Sequence, residues 1–468
     1  MTGTKNHSID RGSRMRSVEW RALIDVVASS RHIGLAVLLV LLCTSSGLAQ
    51  SDDLSITPLS DIARLEQNPA YFPKEKKTIF GITLRQDVRM KEQPLASLGR
   101  ISWGHGDLLN LPEYERKDVA LSFGRPTRWG FLSILGGYSS SGYAHLNAPL
   151  RNFARLPIES LVGRSLVSEG VQLRQTDYLY ASAGWSFDEL VDYRRLRLGV
   201  RLRAMVGLRH FEREPGRFNL RASAKGDIVD ADIQYEFFRA GFIYYGEREY
   251  QRASLAEYYG QQTSVALAYG LAAELGLEYD LSDRVTLSGA ITDLGGIHWE
   301  RALRGQTGVD PKVEAKDKRF AQRPQGKDAP ERIEYIADIL YQVDEVVGKN
   351  VQTQDAYPSG ANTWLAPRGH MALEYRPIKT LKLSGLVGAS EYAYKQYSWE
   401  AALATTWQPA HYFGCNLSFY SHYHSRANIG LGLTGGFKSL LFSMAVGKGI
   451  GSERLGDRYM RFGLQFNL

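Results

Sequence analysis

Two short patterns carry the residue types that do chemistry. The first is SHYHSR, where His422 and His424 lie two apart and Ser425 follows. Two imidazoles on one extended face fall short of the three or four ligands a metal site needs. A Ser–His pair makes a nucleophile only when a third group orients the imidazole, and none is evident. The expectation is a surface loop, with no catalytic residue and no metal. Gly-x-Ser-x-Gly, His-Glu-x-x-His and phosphate-loop motifs do not occur, and no cofactor is implied. The second pattern is a row of arginines, Arg195, Arg197, Arg201, Arg203 and Arg209, which alternates with leucine and valine. Such a row forms either an anion-attracting wall or the basic half of a buried ion-pair network. Candidate acidic partners are Glu274, Glu278, Glu374 and Glu400.

The elements that position these residues follow a period of two. In RLRLGVRLRAMVGLR (195–209), Leu196, Leu198, Val200 and Leu202 share one face and the arginines the other. VALAYGLAAELGLEY (265–279) and the terminal YMRFGLQFNL repeat the alternation. Runs of 10–15 residues exceed the usual soluble strand of about 5–6. They are separated by turns that alternate short and long. Many of the 26 tyrosines fall near strand ends, Tyr178, Tyr279, Tyr375 and Tyr459 among them. Together these features predict an all-β fold: a transmembrane antiparallel barrel of the outer-membrane type, apolar outside and polar inside. The strand count is about sixteen, and fourteen if residues 217–245 are partly loop.

Composition agrees. A mean hydropathy of −0.28 excludes a helical membrane bundle, and two cysteines exclude a disulfide framework. The one continuous apolar run, 33–43, is too short to span a bilayer, which takes roughly 20 residues. Arg31 before it and GLAQ after it predict a signal peptide, residues 1–49, cleaved after Ala49. Met15 is an alternative start. The removed piece holds six basic and three acidic residues, so the net charge falls from +7 to +4. That is too mild for a nucleic-acid binder. Residues 50–77 then form a periplasmic segment or plug, and 78–468 the barrel, with both termini periplasmic. The longest outer loop, 300–368, is expected to carry a helix over 330–347, capped by Asp328 and stopped by Gly348.

LSGAITDLGGIHWE (287–300) reads as a strand that bends at Gly295-Gly296 and reaches an outer aromatic girdle at Trp299. YDLSDRVTLSGAITDLGGIHW, with its Asp293, Leu294, Gly295 and Trp299, resembles a segment of an uncharacterised family of outer-membrane barrels of Bacteroidota. LEQNPAYF, with Asn68, Pro69 and Ala70 before the first strand, resembles that family too, as do ANTWLAPRGHMALEYRP and NIGLGL…GFKSLLFSMAVG. The wider relatives would be long-chain fatty acid transporters and type IX secretion barrels, commonly fourteen-stranded. The resemblance implies passage or binding of small, in that case hydrophobic, ligands. The alternative it leaves open is an assembly barrel with a secretion-system partner. Either needs outer-membrane lipid, periplasmic chaperones and the barrel-assembly machinery as partners. Small inward residues (Ala266, Ala268, Gly270, Ala402, Ala404) imply that something packs inside, and Asn68-Pro69-Ala70 either ends a plug or simply breaks the chain. N-terminal sequencing of protein extracted from membranes is expected to start at Gln50.

Overall fold

In a computed structural model the described residues are 60–73, 77–89, 114–146, 165–168, 171–188, 195–213, 216–222, 228–241, 268–300, 302–309, 351–354, 360–393, 396–410, 412–422, 428–437, 439–449 and 458–468. The predicted signal peptide and loop helix lie outside them. Period-two alternation makes strands because successive side chains of an extended chain point to opposite faces. The strands that form the wall are β1 (Ile79–Arg89), β2 (Tyr114–Thr127), β3 (Gly130–Leu146), β5 (Val171–Asp188), β6 (Leu196–Arg213), β9 (Ala268–Ser282) and β10 (Val285–Trp299). They continue with β14 (Arg368–Ile378), β15 (Leu381–Ala393), β16 (Gln396–Ala410), β17 (Phe413–His422), β18 (Asn428–Gly436), β19 (Leu440–Gly449) and β20 (Arg458–Asn467).

Each of these pairs antiparallel with the next, and β20 returns to β1 from Asn467↔Ile79 to Arg458↔Val88. The result is a closed barrel of fourteen strands. Closure leaves no unpaired edge, which a backbone surrounded by hydrocarbon requires. The two-residue turns 128–129, 283–284 and 379–380 lie at one end. That end also holds the start of β1 and the end of β20, where Leu468 N–H donates to the Thr78 carbonyl.

The count of sixteen drops to fourteen for a specific reason. Residues 217–222 and 228–241 are strands, β7 (Arg217–Ala222) and β8 (Ile228–Gly241), but they stand outside the ring. The β7–β8 hairpin pairs with β4 (Ser165–Ser168), with the upper end of β6, and with β11 (Ala302–Val309). β11 in turn pairs with β12 (Val351–Gln354), and β13 (Ala361–Trp364) continues the row of β14 along β10. So part of the stretch expected to be outer loop is strand.

Burial is the reverse of a soluble protein. Leu202, Leu271 and Leu403 are 64–73% exposed, while their strand neighbours Arg201 and Glu274 are at most 1% exposed. Among the described residues no helix is long and apolar enough to cross a membrane; the strands do so. A charge on the outward face loses hydration with nothing to replace it. Leu202→Arg is therefore expected to destabilise the barrel by about 2–4 kcal/mol in equilibrium urea unfolding from lipid vesicles. A polar change at the inward Thr286 of β10 should cost much less.

Candidate functional site

The lumen is occupied by the chain's own N-terminal segment. Ser60 caps α1 (Asp61–Gln67): its hydroxyl accepts from Ala63 N–H at 3.3 Å, and Asp61 supplies first-turn negative charge. Pro69 disfavours helical backbone at Asn68, so the helix ends after two turns. Asn68 then organises the exit. Its Oδ1 accepts from Ala70 N–H at 2.9 Å, its carbonyl accepts from Tyr71 N–H at 3.0 Å, and its Nδ2 donates to the Leu277 carbonyl at 3.2 Å. Pro69 and Ala70 rest on Gly199 of β6 and Gly276 of β9, which are register partners. A Cβ on Gly199 would lie 2.2 Å from Ala70 N, and one on Gly276 would lie 2.1 Å from Asn68 Oδ1. Neither glycine can gain a side chain while the segment is seated. Ile62, Leu65, Tyr71 and Phe72 bury themselves against Ile79 and Phe131.

Polar contacts from widely separated strands hold the segment. Arg461 of β20 reaches Glu66 at 2.8 Å, and Ser122 of β2 donates to the same carboxylate at 3.0 Å. Arg64 pairs with Glu374 of β14. Ser186 of β5 donates to the Ala70 carbonyl at 2.9 Å, and Gln465 of β20 accepts from Ile62 N–H at 3.3 Å. Partners on so many sides of a closed ring can be met only from inside it. Arg201 Nη1 donates to the Glu66 carbonyl at 3.1 Å, and Nη2 to the Leu65 carbonyl. A cation is thus placed on carbonyls at the negative end of the helix. Burial pushes the Tyr71 hydroxyl well above its usual range, so it stays protonated and donates to Asp61.

The sequence-predicted arginines divide three ways. Arg197, Arg201 and Arg203 line the interior. Arg197 pairs with Asp280 at 2.6 Å and Glu278 at 3.5 Å, and Arg201 pairs with Glu274 at 2.8 Å. Arg203 bridges Glu274 and Asp293. Arg195 sits on the short-turn rim, half exposed, 3.9 Å from Asp283. Arg209 does not join the row. A one-residue bulge at Leu208 sets Tyr178 opposite Gly207 and Asp177 opposite Arg209. The bulge flips the parity, so His210 turns inward and Arg209 turns to the opposite face, where it pairs with Asp177.

The same device corrects the reading of Trp299. Thr292 and Asp293 on β10 together face one residue, Glu274, on β9. Asp293 takes the left-handed region at φ 61°, which Asp tolerates better than most residues, and its carboxylate turns into the lumen towards Arg203. Beyond the bulge, odd-numbered residues face inward. Trp299 is therefore not in an outer girdle. It is 1% exposed, donates from Nε1 to Thr363 Oγ1 at 2.8 Å, and packs with Met205, Ala268 and Ile297. Outward aromatics at that level are Tyr269 and Trp364, and Leu294 is also outward. Gly295 approaches β9 so closely that a Cβ would meet the Leu271 carbonyl at 2.0 Å. Tyr178 and Tyr459, read as girdle positions, likewise turn inward.

His422 ends β17, while His424 and Ser425 lie outside the described residues. Among the described residues no group of three or more His, Cys, Asp or Glu is placed to hold a metal. Sequence reasoning missed Arg64, Glu66 and Arg461, which anchor the segment. Nothing in their local pattern distinguishes them, because their partners lie hundreds of residues away. Between the segment and the β14–β19 wall is a cavity of about 640 Å³, which opens among the short turns near Lys379, Tyr412 and Phe437.

An inverted-polarity ring with its own N-terminal segment folded into the lumen defines a transmembrane barrel of the outer-membrane type. The chain belongs to the family of unknown function (DUF5723), whose model matches residues 120–447. No curated protein matches it. Among solved structures it is similar to the Pseudomonas putida toluene transporter TodX, at 9% identity, 88% of this chain and 94% of that one, with a TM-score of 0.43. It is also similar to a Pseudomonas aeruginosa FadL homologue, at 12% identity, 88% and 94% coverage and a TM-score of 0.42. The translocator domain of the autotransporter NalP from Neisseria meningitidis follows at 10% identity, 85% and 91% coverage and a TM-score of 0.30. Likeness this weak bears on neither substrate nor mechanism.

The seat makes a direct prediction. Gly199→Val should expel the segment and leave the wall intact, so that trypsin cuts at Arg64 on the order of tenfold faster in reconstituted vesicles. Gly385→Val is the control. Its new Cβ meets only the Leu403 side chain at 3.5 Å, and cleavage should be unchanged.

Proposed function

We propose that the protein is an outer-membrane barrel for passage or binding of small ligands, with residues 60–73 as its internal gate and both termini in the periplasm. One observation carries this reading: the segment sits inside the lumen without contributing to the wall. Every wall strand pairs with two other strands, so the ring remains closed when the segment leaves. What holds the segment is a set of hydrogen bonds and ion pairs to the lumen face, together with one small apolar cluster. The polar contacts among these can be exchanged for water one at a time. The periplasmic assignment rests on the short turns, which in barrels of this kind lie on that side. Arg201 and Arg461 serve here as part of the fixed half of the gate's seat.

A second reading is a scaffold barrel for secretion or surface attachment. It is favoured by the array of β4, β7, β8, β11 and β12, which stands outside the ring and offers a strand platform to a partner.

Single-channel conductance in planar bilayers separates the two. The refolded protein from Gln50 onward is expected to conduct rarely and briefly. Deletion of residues 50–77 should give stable open channels. Silence in both forms would mean a packed lumen, and crosslinking for partners of the outer array would be the next step.

A further inference from the structure

The cavity at the short-turn end has a charge balance that the gate does not explain. Glu374 is shared by three cations: Arg64 from the segment, Lys382 at 3.3 Å and Arg376 at 3.6 Å. These three cations meet the one carboxylate at the cavity wall, with Lys379 at the rim and the carboxylates of Asp61 and Glu278 also in the lining. Asp61 is occupied by Tyr71 and Gln465, and Glu278 lies by Arg197. Three cations around one carboxylate leave the cluster net positive in a concave site partly shielded from water, where charge is worth more than on an open surface. The far wall carries hydroxyl and amide groups, Thr406, Gln408, Thr434 and Asn467, and the segment adds the rings of Tyr71 and Phe72. A volume of about 640 Å³ is in the range of small-molecule sites, roughly 300–1,000 Å³.

We infer that this cavity binds a small organic phosphate monoester, a dianionic head among Arg64, Arg376 and Lys382 with a hydroxylated body against the Thr406–Asn467 wall. The inference rests on the reading of the lumen as a route for small ligands. A phosphate monoester carries a charge of about −1.5 to −2 at neutral pH, opposite in sign to the cluster. Guanidinium groups suit its oxygens through paired N–H donors. The site is composite: Arg64 and Tyr71 belong to the gate, Arg376 and Lys382 to the wall. A ligand that needs both halves binds the seated form and, by linkage, holds the gate closed over itself.

Isothermal titration calorimetry of the refolded protein (residues 50–468) in neutral detergent tests this, with glucose 6-phosphate, inorganic phosphate and glucose as probes. Glucose 6-phosphate should bind saturably, inorganic phosphate more weakly, and glucose not at all. Arg376→Gln should weaken glucose 6-phosphate about tenfold, as expected for loss of one charge-assisted contact. Deletion of residues 50–77 should abolish binding. Because Arg64 and Lys382 are buried and their variants can misfold, the partly exposed Arg376 carries the test. Absence of saturable binding, or equal affinity in Arg376→Gln, overturns the site. A barrel that conducts only without the segment yet binds no glucose 6-phosphate would lose this site and keep the passage reading. Binding without conductance in either form would retain the site and remove that reading.

Discussion

Everything in this molecule follows from one constraint: a backbone in hydrocarbon must find all its hydrogen bonds within itself. The fourteen-strand ring meets it by joining β20 to β1. Once the outside is committed to lipid, every second residue is forced inward, and half of each strand's polar groups share one enclosed volume. That volume cannot be left as an array of unpaired charges. Arg197, Arg201 and Arg203 are therefore met by Glu278, Glu274 and Asp293, and carbonyls of α1 accept from Arg201 and Arg461 as well. The N-terminal segment is as much a solution to the interior's electrostatics as an object placed there.

The segment also shows how little sequence such a seat needs. Asn68 satisfies three backbone groups, Pro69 stops the helix, and two glycines on adjacent strands provide the space. Truncating one member of a buried ion pair typically costs about 3–5 kcal/mol, because the other charge is stranded. Arg201 and Glu274 are so placed.

The period-two pattern made the strands, the turn alternation and the closed architecture legible, because alternation is a local property. What it could not show was parity across a bulge. A single extra residue at Leu208, and another at Thr292–Asp293, reverses which face each later residue occupies, so Arg209 and Trp299 were assigned to the wrong sides. The Asp-Leu-Gly-Gly run did carry a local signal, a residue tolerant of left-handed backbone followed by residues without side chains. It marked a bend but not its direction. The small inward residues predicted that something packs inside, yet Gly199 and Gly276, which receive the turn, look like any other glycine in a strand. Arg64, Glu66 and Arg461 were invisible for a different reason: ion pairs between distant parts of a chain leave no trace in either neighbourhood.

The seam between the first and last strands also sets an order of events. Ile62 takes its partner from Gln465, a sequence separation of 403 residues, and Glu66 takes Arg461. Neither contact exists until the final strand is in place. Pairings this distant in sequence form late, because a long loop must close before they reward it. The segment therefore cannot dock fully on a half-made wall. Its capture reports that the sheet has met its own beginning, and a barrel without its last strand has a segment that lacks both contacts.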